Sequence, residues 1–308
     1  PLIDFRDSDA FAARRLGLPH RVVVNLPWSA IDDRKMELPP RRVAFFVVSP
    51  GEAVEAVLAF LCATKSASTG ASRAMWAVQG VLVASEAMWE DARGCGALVT
   101  APLEPVMPAP RLWEPDPLMA TVMEHVVGPA AAPGTLVDLG SGSGRDVTFL
   151  AEETAARKGR DWRFVGVDRH PASGVLCGKL WHNRGVGDMT AHVKADLRRG
   201  EEVLELVRGC SPPALACYAV RFLHRSLLET LRDGLPVGCF LAWSHFVMPE
   251  GGEWAWEHPK VKDVLGREEL ATTFDAAHGW RLVHSAVVED SDHGRPLQQF
   301  VAQRVEAE

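Results

Sequence analysis

Three glycines at alternate positions behind a carboxylate mark the stretch of this chain best suited to chemistry. They stand in Asp138-Leu139-Gly140-Ser141-Gly142-Ser143-Gly144, after the apolar run Thr135–Leu139 and ahead of helix-like 147–156. A strand that turns abruptly into a helix over glycines gathers free backbone N–H groups and the positive end of a helix dipole in one place. The dinucleotide fingerprint is Gly-x-Gly-x-x-Gly. Here the spacing is tighter, and an acid lies two residues ahead of the first glycine. That acid repels a pyrophosphate and suits a ligand with a cationic end. Two further acids close strand-like runs: Asp168 after Phe164-Val165-Gly166-Val167, and Asp196 after Ala191-His192-Val193-Lys194.

The elements that must carry these residues alternate. Apolar strand-like runs at 135–139, 164–167, 191–194, 213–220 and 238–243 are separated by helix-like segments, which predicts a parallel sheet with crossover helices. Ligands in such sheets bind beyond the carboxyl ends of the strands. Arg221, His224 and Arg225 follow the fourth strand there, and Ser244, His245 and Phe246 follow the fifth. His224 and His245 are the bases available near neutral pH, and Arg221 and Arg225 suit an oxyanion or carboxylate. Each of these also has a plain structural reading, as a helix cap or a core hydrogen-bonder. The loop 248–258 carries Trp254 and Trp256 among Glu250, Glu253 and Glu257, and could select a cationic or a flat molecule. A helix is expected over 118–127, with Asp116 as its cap and Pro117 at its first position. Two strands at 280–288 and 297–305, joined through 290–294, are expected to end the sheet. No His, Cys or carboxylate set has metal-ligand spacing.

The glycine motif resembles the first motif of the class I S-adenosylmethionine-dependent methyltransferases. The phrases 221–225 and 231–243 and the late Gly294-Arg295-Pro296 are similar to the tellurite-resistance-type members, over residues 111–305. The resemblance implies a Rossmann-like α/β fold, a seven-stranded sheet with a C-terminal antiparallel hairpin, and S-adenosylmethionine as cofactor. It assigns Asp138, Gly140, Ser141, Gly142 and Gly144 to the cofactor's turn and Asp168, beside Arg169, to the ribose. Asp196 meets the adenine amino group and the backbone amide of Leu197 meets the ring. Trp113, just ahead of the covering helix, is expected over the cofactor. His224, His245 and Arg221 are the candidate catalytic residues.

Residues 1–98 read separately. Leu2-Ile3-Asp4-Phe5-Arg6, the phrase 19–27 and the run 43–48 are three strand-like segments that resemble a rhodanese-like α/β domain. The cysteine of an active rhodanese matches Ser49 here. A hydroxyl cannot hold a persulfide, which needs a thiolate. Glu52 would place a carboxylate at the next helix start and repel an incoming anion. Cys62 lies too far along that helix to substitute. The domain is therefore expected to be inactive in sulfur transfer and to serve packing, the second domain's entrance or a protein partner. Six prolines between 100 and 117 mark a linker at 99–116, which leaves 117–308 as the methyltransferase-like domain.

Composition limits the alternatives. The chain has 308 residues, a net charge of −7 and six scattered cysteines without a Cys-x-x-Cys pair. The charge argues against nucleic acid and anionic membrane as partners. The cysteines suit reduced thiols in a cytoplasmic setting. No apolar run approaches a membrane span and no signal peptide is visible. The start on Pro1 without an initiator Met reads as a trimmed or processed product. Methyl transfer to a small molecule, with thiols and chalcogen compounds among the candidates, is the leading expectation. An RNA methyltransferase with the first domain as recognition module is the second, and a non-catalytic cofactor-binding scaffold the third.

Overall fold

The computed structural model describes residues 1–63, 75–100, 110–289 and 294–306, and the chain divides into two compact units, Pro1–Glu114 and Pro115–Glu308. The linker prolines Pro102, Pro105 and Pro108 and the connection 290–293 lie outside the described residues.

In the first unit β1 (Leu2–Asp4) is followed by α1 (Ser8–Ala13), β2 (Arg15–Leu16), β3 (Val23–Asn25) and α2 (Ile31–Arg34). Then come β4 (Phe45–Pro50), α3 (Val54–Leu61), β5 (Val78–Ala84), α4 (Glu86–Gly94) and β6 (Leu98–Val99). Strands β3-β1-β4-β5 form a sheet whose pairings are all parallel, and β2 and β6 make a separate antiparallel pair. The three strands expected from the sequence are present. The fourth, β5, went unread, because Gly80 and Gln79 break its apolar run. It pairs with β4 along its whole length. Ser49 is fully buried near the end of β4 and its Oγ donates to the Pro50 carbonyl at 3.0 Å.

The second unit opens with α5 (Leu118–Val122), which continues as one wider π turn over Met123–Val127. Asp116 Oδ1 accepts the Leu118 amide at 3.1 Å, the cap bond its sequence position suggested. There follow β7 (Thr135–Leu139), α6 (Arg145–Lys158), β8 (Arg163–Val167), α7 (Pro171–Asn183), β9 (Thr190–Val193), α8 (Gly200–Arg208), β10 (Ala214–Val220), α9 (Arg225–Gly234), β11 (Phe240–Phe246), α10 (Glu269–Thr273), β12 (Trp280–Val288) and β13 (Leu297–Arg304). The strand order is β12-β13-β11-β10-β7-β8-β9, and β13 is antiparallel to both its neighbours. This is an α/β fold on a mixed sheet. The order reverses between β8-β9 on one side of β7 and β10-β11 on the other, so the crevice for a ligand falls at the tips of β7 and β10.

Strand alternation sorts the core into two layers. Leu136, Ala216, Tyr218 and Ala242 face α5, α6 and α7, together with Trp162 and Trp181. Val137, Cys217, Leu241 and Trp243 face α8, α9 and α10. On the first layer Arg184 Nε donates to Glu152 Oε1 at 2.6 Å, and both side chains are buried. Removing one partner strands the other charge in the core. Glu152→Ala is expected to lower the unfolding free energy by about 3–5 kcal/mol, read from urea denaturation.

Candidate active site

The glycine turn after β7 is welded shut from within. Gly140 and Ser141 both donate their amides to the Val167 carbonyl, at 2.8 and 3.1 Å. Gly142 N donates to Asp168 Oδ2 at 3.0 Å, and Gly144 N to the Ser141 carbonyl at 2.8 Å. The free amide cradle expected from the sequence is therefore absent at these four positions, and with it the means of gripping a phosphate there. Gly142 and Gly144 have φ of 54° and 77°, a region that favours glycine. A Cβ at Gly144 would lie 2.8 Å from Trp181 Nε1 and 2.9 Å from Cys177 Sγ, whereas one at Gly142 would meet no protein atom within 4 Å. The first glycine lets two helices pack and the second keeps a space open.

Carboxyls converge around that space. Asp138 is 3% exposed on the α6 face of β7. Burial, then Asp146 and Asp168, push its carboxyl well above the usual range. Asp146, in the first turn of α6, is raised from 3.8 to about 6, first by burial and also by Asp116. The Asp116 amide donates to Asp146 Oδ1 at 2.9 Å. Burial raises Asp116 too, and the neighbouring Ser244 hydroxyl and Arg221 offset part of that rise. Tyr218 stands opposite Asp138 in register. Its hydroxyl lies beside that carboxyl but makes no hydrogen bond of normal geometry; in the same way the buried Ser244 Oγ lies beside the Asp116 carboxyl and the buried Ser141 Oγ beside the Cys177 thiol. Arg145 and Arg221 supply positive charge next to Asp146. Several buried acids and hydroxyls beside a turn with four spent amides suit a cation with hydrogen-bonding groups.

Arg221 sits at the tip of β10 with φ of 55°, and its amide donates to the Ser244 carbonyl at 2.7 Å. A non-glycine residue in that region costs about 1–3 kcal/mol and is characteristic of ligand clamps.

The other residues singled out in the sequence are dispersed. Asp168 is half-buried at the tip of β8 and accepts both Gly142 N and His170 N; Arg169 beside it is exposed. Asp196, after β9, is engaged by the Arg198 side chain and amide, first through the side chain, which holds its carboxyl far below the usual range. Leu197 is buried. His224 precedes α9, with Nδ1 3.1 Å from Ser226 Oγ. His245 alternates with Ser244 and so faces the α9 and α10 layer, away from Asp138. Its Nε2 lies 2.8 Å from the Asp263 carbonyl, and burial lowers its pKa. Arg225 is committed to Glu269 and to the carbonyls of Lys262 and Val264. Trp113 belongs to the first unit and is buried. Sequence reading missed Asp146, and it saw Asp116 only as a cap. The one signal for Asp146 was an acid in the first turn behind a glycine loop.

No family model matches the chain, and no curated protein matches it. Among solved structures it is similar to the 4+2 cyclase SpnF, at 14% identity and a TM-score of 0.46 over 61% of this chain and 80% of that one. It is similar to TehB from Haemophilus influenzae at 11% identity and TM-score 0.43, over 61% of each chain. It is also similar to a geranyl diphosphate C-methyltransferase from Streptomyces coelicolor A3(2), crystallised with Mg2+, geranyl diphosphate and S-adenosyl-L-homocysteine. That likeness has 14% identity and TM-score 0.45 over 61% and 76% of the two chains. What the pocket can bind is decided by its own residues.

Proposed function

We propose that the second unit transfers a methyl group from S-adenosylmethionine to a small-molecule acceptor. The observation that carries this reading is the buried carboxyl cluster at the switch point, beside a turn with four amides already consumed. The amides of Gly140, Ser141, Gly142 and Gly144 are not offered to a dinucleotide phosphate, while an ammonium and a sulfonium find acids. S-adenosylmethionine supplies an electrophilic methyl for in-line displacement. The chain's own part is to align the acceptor with that methyl and exclude water.

In this reading Asp138, Asp146 and Asp116 hold the cationic end, and Gly142 keeps the approach open. Asp168 takes the ribose hydroxyls with its remaining lone pairs. Asp196 and the Leu197 amide serve the adenine, with Arg198 sharing the Asp196 carboxylate, and Arg169 lies next to the ribose acid. Where the acceptor arrives protonated, His224 is the better-placed base of the two histidines, since His245 faces the opposite layer. Arg221 orients the acceptor. The net charge of −7 speaks for a small acceptor rather than RNA. We read the first unit as rhodanese-like and inactive in sulfur transfer, supported by a buried hydroxyl at Ser49 where a thiolate is required.

Calorimetric titration tests the cofactor. S-adenosylmethionine and S-adenosylhomocysteine are expected to bind at one site per chain, and NAD and inorganic phosphate to give no heat. The reverse pattern would overturn the reading. Transfer of label from S-adenosylmethionine to an acceptor then separates an enzyme from a binding scaffold.

A further inference from the structure

A bulge in an edge strand and a wide turn in a helix bring two histidines of the second unit together. The bulge of β12 falls between Leu282 and His284. Leu282 pairs with Ala302, in the core layer of α8, α9 and α10, while His284 pairs with Val301, in the layer of α5, α6 and α7. In unbroken alternation His284 would share the face of Leu282. The extra residue, Val283, turns it to the opposite face. There α5 runs into its π turn, Met123–Val127, with His125 in the middle. The rings of His125 and His284 stack, with centroids 5.7 Å apart and planes at 29°. Bulges and π turns both interrupt regular hydrogen bonding, and both recur at functional positions.

His284 Nε2 is buried and has no hydrogen-bond partner. Burial, then His125, hold its pKa below the ordinary 6.5, and Glu124 offsets part of that. Glu124 Oε1 lies 3.9 Å from His125 Nε2, on an exposed side chain. From α6, Thr154 Oγ1 meets Met123 Sδ at 3.8 Å and Lys158 Nζ donates to the Gly128 carbonyl at 2.7 Å. From β13 come the uncharged Val301 and Gln299, and Gln299 Oε1 accepts from Thr121 Oγ1 at 3.3 Å. Among the described residues no three groups are set to hold a metal ion, so the chemistry left to the pair is proton uptake. A proton on His284 needs water at Nε2 and faces a second imidazole, so it is accepted where the π turn lifts from β12. The folded ring binds its proton less tightly than the unfolded one. The contact is therefore whole above about pH 6.5 and weakens as pH falls below that. The same helix starts at Asp116, which caps it and bonds Asp146 in the carboxyl cluster.

We propose that His125 and His284 form an acid-released latch that holds the end of the α5 helix on β12, and that acid thereby loosens the helix that supplies Asp116 to the carboxyl cluster. Amide hydrogen exchange on the full chain at pH 7.5 and 5.5, corrected for the intrinsic rates, tests it. A ring with an ordinary value of 6.5 can shift an opening equilibrium at pH 5.5 by at most about tenfold. Protection at 123–127 is expected to fall three- to tenfold at pH 5.5, and protection in β7 and β10 to hold (roughly, from the same linkage). His284→Phe keeps a ring without a titrating nitrogen, and its protection at 123–127 is expected to be the same at both pH values. Asp146 titrates nearby with the opposite sign, since acid relieves its charge, so Asp146→Asn is expected to keep the fall. In the unchanged chain the His284 imidazole is expected to titrate below 6.5 by NMR, and to move up in His125→Gln; this measurement decides if His284→Phe does not fold. Protection that ignores pH, that falls equally in His284→Phe, or that stops falling in Asp146→Asn overturns the latch, as does a His284 ring that titrates at or above 6.5. Saturation with S-adenosylhomocysteine is expected to restore protection at pH 5.5, an arm that rests on the methyl-transfer reading. Binding without restored protection removes the link from latch to carboxyl cluster. Failure of S-adenosylhomocysteine to bind is a different result, which brings down the methyl-transfer reading while the exchange and titration results still decide the latch.

Discussion

Gly142→Val is expected to weaken binding of S-adenosylmethionine by more than about 100-fold while leaving a folded protein, a loss of roughly 3 kcal/mol in binding free energy. The reason is the asymmetry between two glycines of one turn. At Gly142 a new side chain meets no protein atom within 4 Å, so it fills the open space that the proposed function gives to the cofactor. Its φ of 54° is awkward for any side chain, and the folded state is expected to lose about 1–2 kcal/mol for that alone. At Gly144 the order of effects reverses. A methyl there would stand 2.8 Å from Trp181 Nε1 and 2.9 Å from Cys177 Sγ, so Gly144→Ala forces α6 and α7 apart. It is expected to cost about 2–4 kcal/mol of stability. Melting curves and calorimetry on the two variants separate the cases. A Gly142→Val protein that binds the nucleoside as the unchanged chain does would mean that the ligand lies elsewhere.

The parts of the site that could be read from sequence are those fixed by local periodicity. The run Thr135–Leu139 followed by alternate glycines specifies a buried strand and a turn, and Asp138 and Asp168 fall at strand tips because each closes an apolar run. The face on which His245 lies was also available, since it is two residues from Trp243 and alternates with Ser244. The rest depends on neighbours distant in the chain. Asp116 and Asp146 are separated by 30 residues, and nothing local says that the amide of one bonds the carboxylate of the other. The consumption of the turn's amides by Val167 and Asp168 needs β8 to be placed beside β7 first. Arg225 looked like an anion holder until Glu269, 44 residues on, claimed it. In the first unit, β5 is a strand because β4 offers it a partner, not because its own pattern demands one.

The acid cluster makes a second large prediction, in which stability and binding move in opposite directions. Asp146 holds its proton up to about pH 6, against an ordinary value of 3.8. A folded state that binds a proton more tightly than the unfolded chain loses stability as pH rises between those two values. Below about pH 4 both states are protonated and the group contributes nothing. Above about pH 6 the full cost of ionising it among Asp116, Asp138 and the partial compensation of Arg145 and Arg221 is present, about 3 kcal/mol. Asp146→Asn keeps an acceptor for the Asp116 amide and removes the charge. Without ligand it is expected to be more stable than the unchanged chain at pH 8, by up to about 3 kcal/mol, and equal to it near pH 4. Binding runs the other way. A sulfonium and an ammonium favour the ionised carboxylate, so affinity for S-adenosylmethionine is expected to rise with pH through about 6 and then level. Binding at pH 6 then releases protons, which calorimetry in buffers of different ionisation enthalpy reads directly. In Asp146→Asn the rise is expected to vanish and the affinity at pH 8 to fall about 10- to 100-fold. S-adenosylhomocysteine, without the sulfonium charge, is expected to show a shallower dependence in the unchanged chain. An Asp146→Asn variant that is less stable at pH 8, or that binds the cationic nucleoside with undiminished affinity there, would show that this carboxyl is not held in reserve for a cation.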